Sequence, residues 1–129
     1  MPKTHLNPDS MAKNPAFSQA VVVTEPKATI YVGGQNGVDA DGSVVEGGLY
    51  EQAKQAFLNL QTVLAAADAE LTDVVHWRVA VVEGEDVRDG LRAFQEVWGT
   101  KPDPPAISVH AVGMANPAFL CEIDAVAVT

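Results

Sequence analysis

The sequence predicts a two-layer α+β sandwich in which two helices cover one face of a mixed β-sheet. Three observations carry this reading. Two segments each place apolar residues at three- and four-residue steps, so each makes a helix with one apolar stripe. The remaining apolar segments are rich in β-branched residues or alternate with period two, as strands do. The order along the chain, β-β-short β-α-β-α-β-β, interleaves helices with strands and so mixes parallel with antiparallel neighbours.

Residues 1–13 are polar and irregular, with Pro2 and Pro8 among them, and read as a loosely ordered N-terminal arm. "FSQAVVV" (17–23) and "ATIYVGG" (28–34) read as a hairpin around the turn proline Pro26. "NGVDADGS" (36–43) is turn chemistry, because Asn-Gly and Asp-Gly both supply positive φ. The long segment 48–70 carries the strongest periodicity. Leu49, Ala53, Ala56, Phe57, Leu60, Val63, Leu64 and Ala67 form its stripe, with Gln52, Lys54, Gln55 and Gln61 mostly off it. Ala65 to Ala67 would let this helix lie close to the sheet. In "DVVHWRVAVV" (73–82), Val75, Trp77, Val79 and Val81 share one face, and His76 and Arg78 the other. Residues 85–99 return to helical spacing, with Val87, Leu91, Phe94, Val97 and Trp98 on a stripe and Gly99 placed to end it. "AISVHAV" (106–112) and "FLCEIDAVAV" (119–128) close the sheet. The face away from the helices also carries apolar surface, which argues for an oligomer that covers it.

Length and composition limit the function. The 129 residues make one domain, and the single cysteine, Cys121, excludes an internal disulfide and fits a reducing cytoplasm. No apolar run approaches the ~18 residues that span a bilayer. The first ten residues hold no apolar signal core, so a cytoplasmic protein with no membrane partner is expected. A net charge of −9, from 17 acidic and 8 basic residues without a basic cluster, disfavours nucleic acid. His5, His76, His110 and Cys121 lack metal-ligand spacing, so no metal site is expected. Ser108 and His110 share a strand face, but i, i+2 neighbours sit too far apart for a serine–histidine pair and no nucleophile elbow is present.

The stretches "NPAFSQAV", "IYVGGQ", "QAKQAFLNLQTVLAAADAELTDVVHWRVAV", "PPAIS" and "CEIDAVAV", taken in order over about residues 14–128, resemble the Rid/YjgF family, also called the endoribonuclease L-PSP family. The resemblance implies a chorismate-mutase-like α+β fold. It implies a homotrimer with the sheets facing inward and small-molecule sites in clefts between subunits. The activity it implies is hydrolysis of reactive enamines and imines, such as 2-aminoacrylate, to a keto acid and ammonia, without a metal or organic cofactor.

The family's residues carry over unevenly. Its deaminases read Pro-Ala-Arg-Ser before the fifth strand, where the Arg forks onto the substrate carboxylate. This chain has Pro105, Ala106, Ile107 and Ser108 there. Ile107 can neither pair nor donate, a loss of about 1.5–3 kcal/mol for a charge-assisted contact. The family's tyrosine after the first proline is Phe17, its helix-two asparagine falls near Leu91, and a common cysteine is Val109. Phe17, Ile107 and Val109 are therefore expected to line a more apolar substrate pocket. Gly33, Gly34 and Gln35 match the family's Ser-Gly-Gln and would hold a polar group through the backbone; the alternative is a bulge with no binding role. Glu122 matches the family's acid on the last strand and would move protons to or from water. The alternative is that Glu122 and Asp124 share the polar face of an edge strand. Asn59 reads as structural, bonding a loop. The sequence thus points to a divergent Rid hydrolase or deaminase whose imino-acid role is not simply inherited, or to a non-catalytic trimeric metabolite-binding protein that reuses the cleft. An RNA-cleaving role is ranked last because of the acidic charge.

Overall fold

The computed structural model describes residues 2–129. Eight named elements follow one another: strands β1 (Lys3–Leu6), β2 (Ala20–Val23) and β3 (Thr29–Gln35), helix α1 (Leu49–Ala66), strand β4 (Val74–Val82), helix α2 (Val87–Trp98), and strands β5 (Ala106–Val112) and β6 (Cys121–Val128). A single 3₁₀ turn, Leu71–Asp73, leads into β4. The main sheet runs β3-β6-β4-β5. β6 is antiparallel to both β3 and β4, whereas β4 and β5 are parallel. A parallel pair cannot be joined by a tight turn, and α2 provides the crossover. The two-layer, mixed-sheet α+β reading therefore holds.

The core lies between the sheet and the helices. On α1, Ala53, Ala56, Phe57, Leu60 and Leu64 turn inward and are nearly fully buried. Trp77 of β4 is the centre of the packing. Its ring lies 5.6 Å from Phe57, 5.3 Å from Phe94 and 5.7 Å from Trp98, all edge-on, the arrangement that the ring quadrupoles favour. Its indole Nε1 is buried with no hydrogen-bond partner among the described residues. The three aromatic neighbours hold the ring in place despite that unmet donor.

Both helix ends have a local cause. At α1 the Glu51 carboxylate accepts from the Gly48 N–H at 2.7 Å, one half of a capping box. Asp68, at φ +55°, ends the helix, and the Ala69 N–H returns to the Leu64 carbonyl at 2.9 Å. The helix is thus shorter than its apolar segment, and Ala67 caps it rather than packing on the sheet. At α2 the Asp86 carboxylate accepts from the Arg88 N–H, and Gly99 at φ +65° stops the helix, as its placement predicts.

The structure corrects several expectations. Residues 3–6 of the supposed arm form β1, which pairs antiparallel with β2 from Lys3–Val23 to Leu6–Ala20; Met1 lies outside the described residues. The backbone groups of β2 need partners, and the arm supplies them. The expected hairpin between 17–23 and 28–34 does not form. The Lys27 N–H is taken by the Thr129 carbonyl at 2.7 Å, so β3 begins against the C-terminus and continues along β6. The turn at 36–43 holds one isolated bridge, Val38–Val44, with Asp39 Oδ1 accepting from the Asp41 and Ser43 N–H groups. Val63 is 37% exposed and off the packed stripe. Gln52 is buried instead, donating to the Ala118 carbonyl and accepting from the Leu120 N–H. It braces the loop before β6. Asn59 donates to the Asn36 and Val38 carbonyls at 3.1 and 2.8 Å, the loop bond that the sequence suggested.

Trp77→Ala should cost about 3–5 kcal/mol, because it leaves a void among three aromatic rings. Val63→Ala should stay within about 0.5 kcal/mol, because the position is on the surface. Chemical denaturation of the two variants beside the parent checks both values.

Candidate functional site: an apolar cavity and a polar sheet face

An apolar cavity of about 310 Å³ opens between the two helices and the β4–β5 side of the sheet. β5 is an edge strand, and its register places Ile107 beside Trp77 and Val109 beside Val79. Parallel register partners point to the same face, so both residues look toward the helices. Phe57 and Phe94 close the inner end, and Val87 and Leu91 of α2 flank the opening. Val109, Val87 and Leu91 remain 55%, 53% and 44% exposed, which marks the cavity's outer lip. The stripe expected on α2 is thus only half packed; its first turns face the cavity.

Phe17 reaches this cavity from the loop between β1 and β2, and the diproline holds it there. The Pro105 carbonyl accepts from the Ser18 N–H at 3.1 Å, and the Pro104 carbonyl accepts from the Ser18 hydroxyl at 2.5 Å. His5 Nδ1 meets the same hydroxyl at 3.1 Å. Prolines lack an N–H but keep their carbonyls, so this stretch can only accept. The sequence matches at Phe17, Leu91, Ile107 and Val109 converge in one cavity.

One cation lies at the mouth, and it is committed. The Arg88 guanidinium meets Asp86 with Nε at 3.0 Å from Oδ1 and Nη2 at 2.8 Å from Oδ2. This contact, with the Arg88 N–H, holds the exposed Asp86 carboxyl down at about 2. In the inner wall, Cys121 is buried, and desolvation pushes its thiol up from 9.0 to about 12. Val79, Val81 and Cys121 were not among the sequence candidates for the pocket, although the alternation of their strands places them there. Arg88 gave no signal of its own.

Gly33, Gly34 and Glu122 lie on the opposite sheet face, in a shallow polar depression with His76, Arg78 and Asp124. The register of β3 on β6 shifts between Val32 and Gln35, so Gly33 and Gly34 form a bulge. A side chain at Gly34 would put its Cβ 2.5 Å from the Glu122 Cδ and 2.7 Å from Oε1. Glycine is what lets the carboxylate lie flat against this strand. Gln35 folds back, its Nε2 donating to the Gly33 carbonyl at 3.1 Å. The Glu122 carboxylate has no hydrogen-bond or ion-pair partner among the described residues. Asp124 is engaged, accepting from Arg78 Nε and Nη2 at 3.0 and 2.9 Å.

Other expectations change at this face. β6 is an inner strand, so Glu122 and Asp124 do not sit on an edge. His76 meets Ser108 across the β4–β5 ladder at 3.4 Å, while His110 is exposed and Asp124 is held by Arg78, so no serine triad assembles. Among the described residues no cluster of three His, Cys, Asp or Glu could hold a metal ion. Among the described residues no helix is long and apolar enough to cross a membrane.

This arrangement, two helices on a mixed sheet with an acid beside a glycine bulge, defines a recognisable class. The family model for Endoribonuclease L-PSP matches residues 8–129, and the chain belongs to that family, the Rid proteins. It is 35% identical to the Homo sapiens 2-iminobutanoate/2-iminopropanoate deaminase over 92% of this chain and 87% of that protein. It is 38% identical to the Rattus norvegicus protein of the same name over 88% of this chain and 80% of that one. A Rid-family protein of unknown function from Yersinia pestis, YyfB, shares its fold with a TM-score of 0.86 and 31% identity over the whole of both chains.

The state of Cys121 can be read directly. Its thiol should resist an aromatic disulfide reagent at pH 8 in the native protein and react at once in denaturant. Its raised pKa also contributes stability below about pH 9 that is lost as the pH climbs toward about 12, because the unfolded chain releases the proton first. Cys121→Ala should flatten that alkaline loss in thermal melts.

Proposed function

We propose that the chain is a Rid-family hydrolase that converts an imine- or enamine-like small molecule to a carbonyl compound and ammonia. The observation that carries this reading is Glu122, a carboxylate free of partners and laid against the Gly33–Gly34 bulge. Two relatives named as imine deaminases support it.

The matched positions fall on opposite sheet faces of one chain. Phe17, Ile107 and Val109 lie on the helix side, and Gly33, Gly34 and Glu122 on the other. A single chain cannot bring the two sets together; a second copy can. β5 and β3 are the two edges of the main sheet. A head-to-tail contact that seats one copy's β5 side against the next copy's β3–β6 face completes a cleft, and such contacts form rings when the rotation closes. We take that ring to be a homotrimer. Tyr31, 80% exposed on β3, is an apolar group such a contact would cover.

In the completed cleft, Glu122 takes a proton from a water molecule as its oxygen adds to the carbon of the protonated imine. The neutral carbinolamine then accepts that proton on nitrogen, and as the C–N bond breaks and ammonia leaves, the hydroxyl proton passes back to Glu122 and the C=O bond forms. Backbone N–H groups of the glycine bulge hold the polar end of the substrate. Ile107 offers no clamp for a carboxylate, so the imino acids named for the relatives are poor candidates here.

Glu122→Gln should lower imine hydrolysis by about 10²–10⁴-fold with the fold unchanged, measured by ammonia release; an undiminished rate rejects Glu122 as the proton carrier. The parent should be slow on freshly generated iminopropionate, and Ile107→Arg should speed it. Sedimentation should give three times the 13.6 kDa of one chain; a mass of one chain rejects the shared cleft. A parent that binds ligand in the cleft but hydrolyses no imine is a binding protein instead.

A further inference from the structure

We propose that the cavity under β5 selects an uncharged ligand with an apolar body, so that the substrate is the imine or enamine of an apolar ketone or aldehyde carrying no carboxylate. An imine as the reacting group rests on the function proposed above; the uncharged, apolar ligand class follows from the cavity.

The walls are Ala53, Phe57, Val79, Phe94, Ile107 and Ile123, with no charged side chain among them. A desolvated carboxylate placed here would meet no partner, a loss of several kcal/mol for an isolated charge. Arg88 at the mouth is already forked onto Asp86. A ligand carboxylate would have to break that pair and leave Asp86 with only the Arg88 backbone N–H. Cys121 faces the space as a neutral thiol, so the wall neither attracts an anion nor attacks a carbonyl. The whole chain repels anions as well, at net charge −9.

Size points the same way. A cavity of about 310 Å³ is at the small end for organic ligands. A three-carbon imino acid would leave much of it empty, whereas a phenyl or branched alkyl group would meet Phe57 and Phe94. The exposed Val87, Leu91 and Val109 extend the apolar surface outward, so the ligand's reactive carbon would sit at the lip, where a neighbouring copy's Glu122 would come in under the proposed function.

Calorimetric titration of the assembled protein with phenylacetone and with phenylpyruvate tests this. The two share a benzyl ketone and differ in a methyl group against a carboxylate. Phenylacetone should bind at least about tenfold more tightly, a gap of about 1.4 kcal/mol. Ile107→Arg should reverse the order. Leu91→Asp, at an exposed position that tolerates charge, should weaken phenylacetone at least about tenfold. Equal or tighter binding of phenylpyruvate to the parent overturns the proposal, as does failure of both to bind or a Leu91→Asp variant that binds as the parent does. Tight phenylacetone binding with no hydrolysis of its imine would sustain the ligand class and reject the catalytic role.

Discussion

The alternation of β4 is the constraint on which the rest of the molecule depends. Trp77, Val79 and Val81 turn under the helices, and His76 and Arg78 turn to the other face. Trp77 fixes the sense of that alternation, because only the helix side offers the three aromatic neighbours that bury it. Shifting the strand by one residue would place the indole in solvent and Arg78 in the core. Once β4 is fixed, the register with β5 sends Ile107 and Val109 inward, and the register with β6 sends Glu122 and Asp124 outward. The separation of an apolar cavity from a carboxylate-bearing face follows from one strand.

Much of this was legible in the sequence because burial has a period. The stripes of α1 and α2, the alternation of β4 and the stop at Gly99 each follow from local spacing. Partnerships across the sequence were not legible. Nothing in "AVVV" says that it pairs with residues 3–6 rather than with the neighbouring "TIYV"; the competition is settled by Thr129 taking the Lys27 amide. Gln52 misled for a similar reason. A polar residue among charged ones reads as surface, yet its amide is buried where the loop before β6 presents both a carbonyl and an N–H.

The candidate site shows the same division. The residues were found by likeness to a family, and the cavity gathers Phe17, Leu91, Ile107 and Val109 as a group. Their placement relative to Glu122 could not be read from the chain, because strand order and not spacing decides which face a residue shares with another. Ile107 is a good example. Alone it is an ordinary inward residue of an edge strand, and its meaning comes from lying in a wall without a free cation.

The bulge at Gly33–Gly34 and the prolines before β5 sit on the two open edges of the main sheet. An edge strand with free backbone groups is a template for unwanted pairing between chains. The prolines remove two donors at the entry to β5, and Ser18 already occupies their carbonyls. The bulge breaks the flat run of β3 and adds local twist. Edges interrupted in this way resist pairing with a second chain, so the residues that shape a bulge and a loop also guard against amyloid-like stacking.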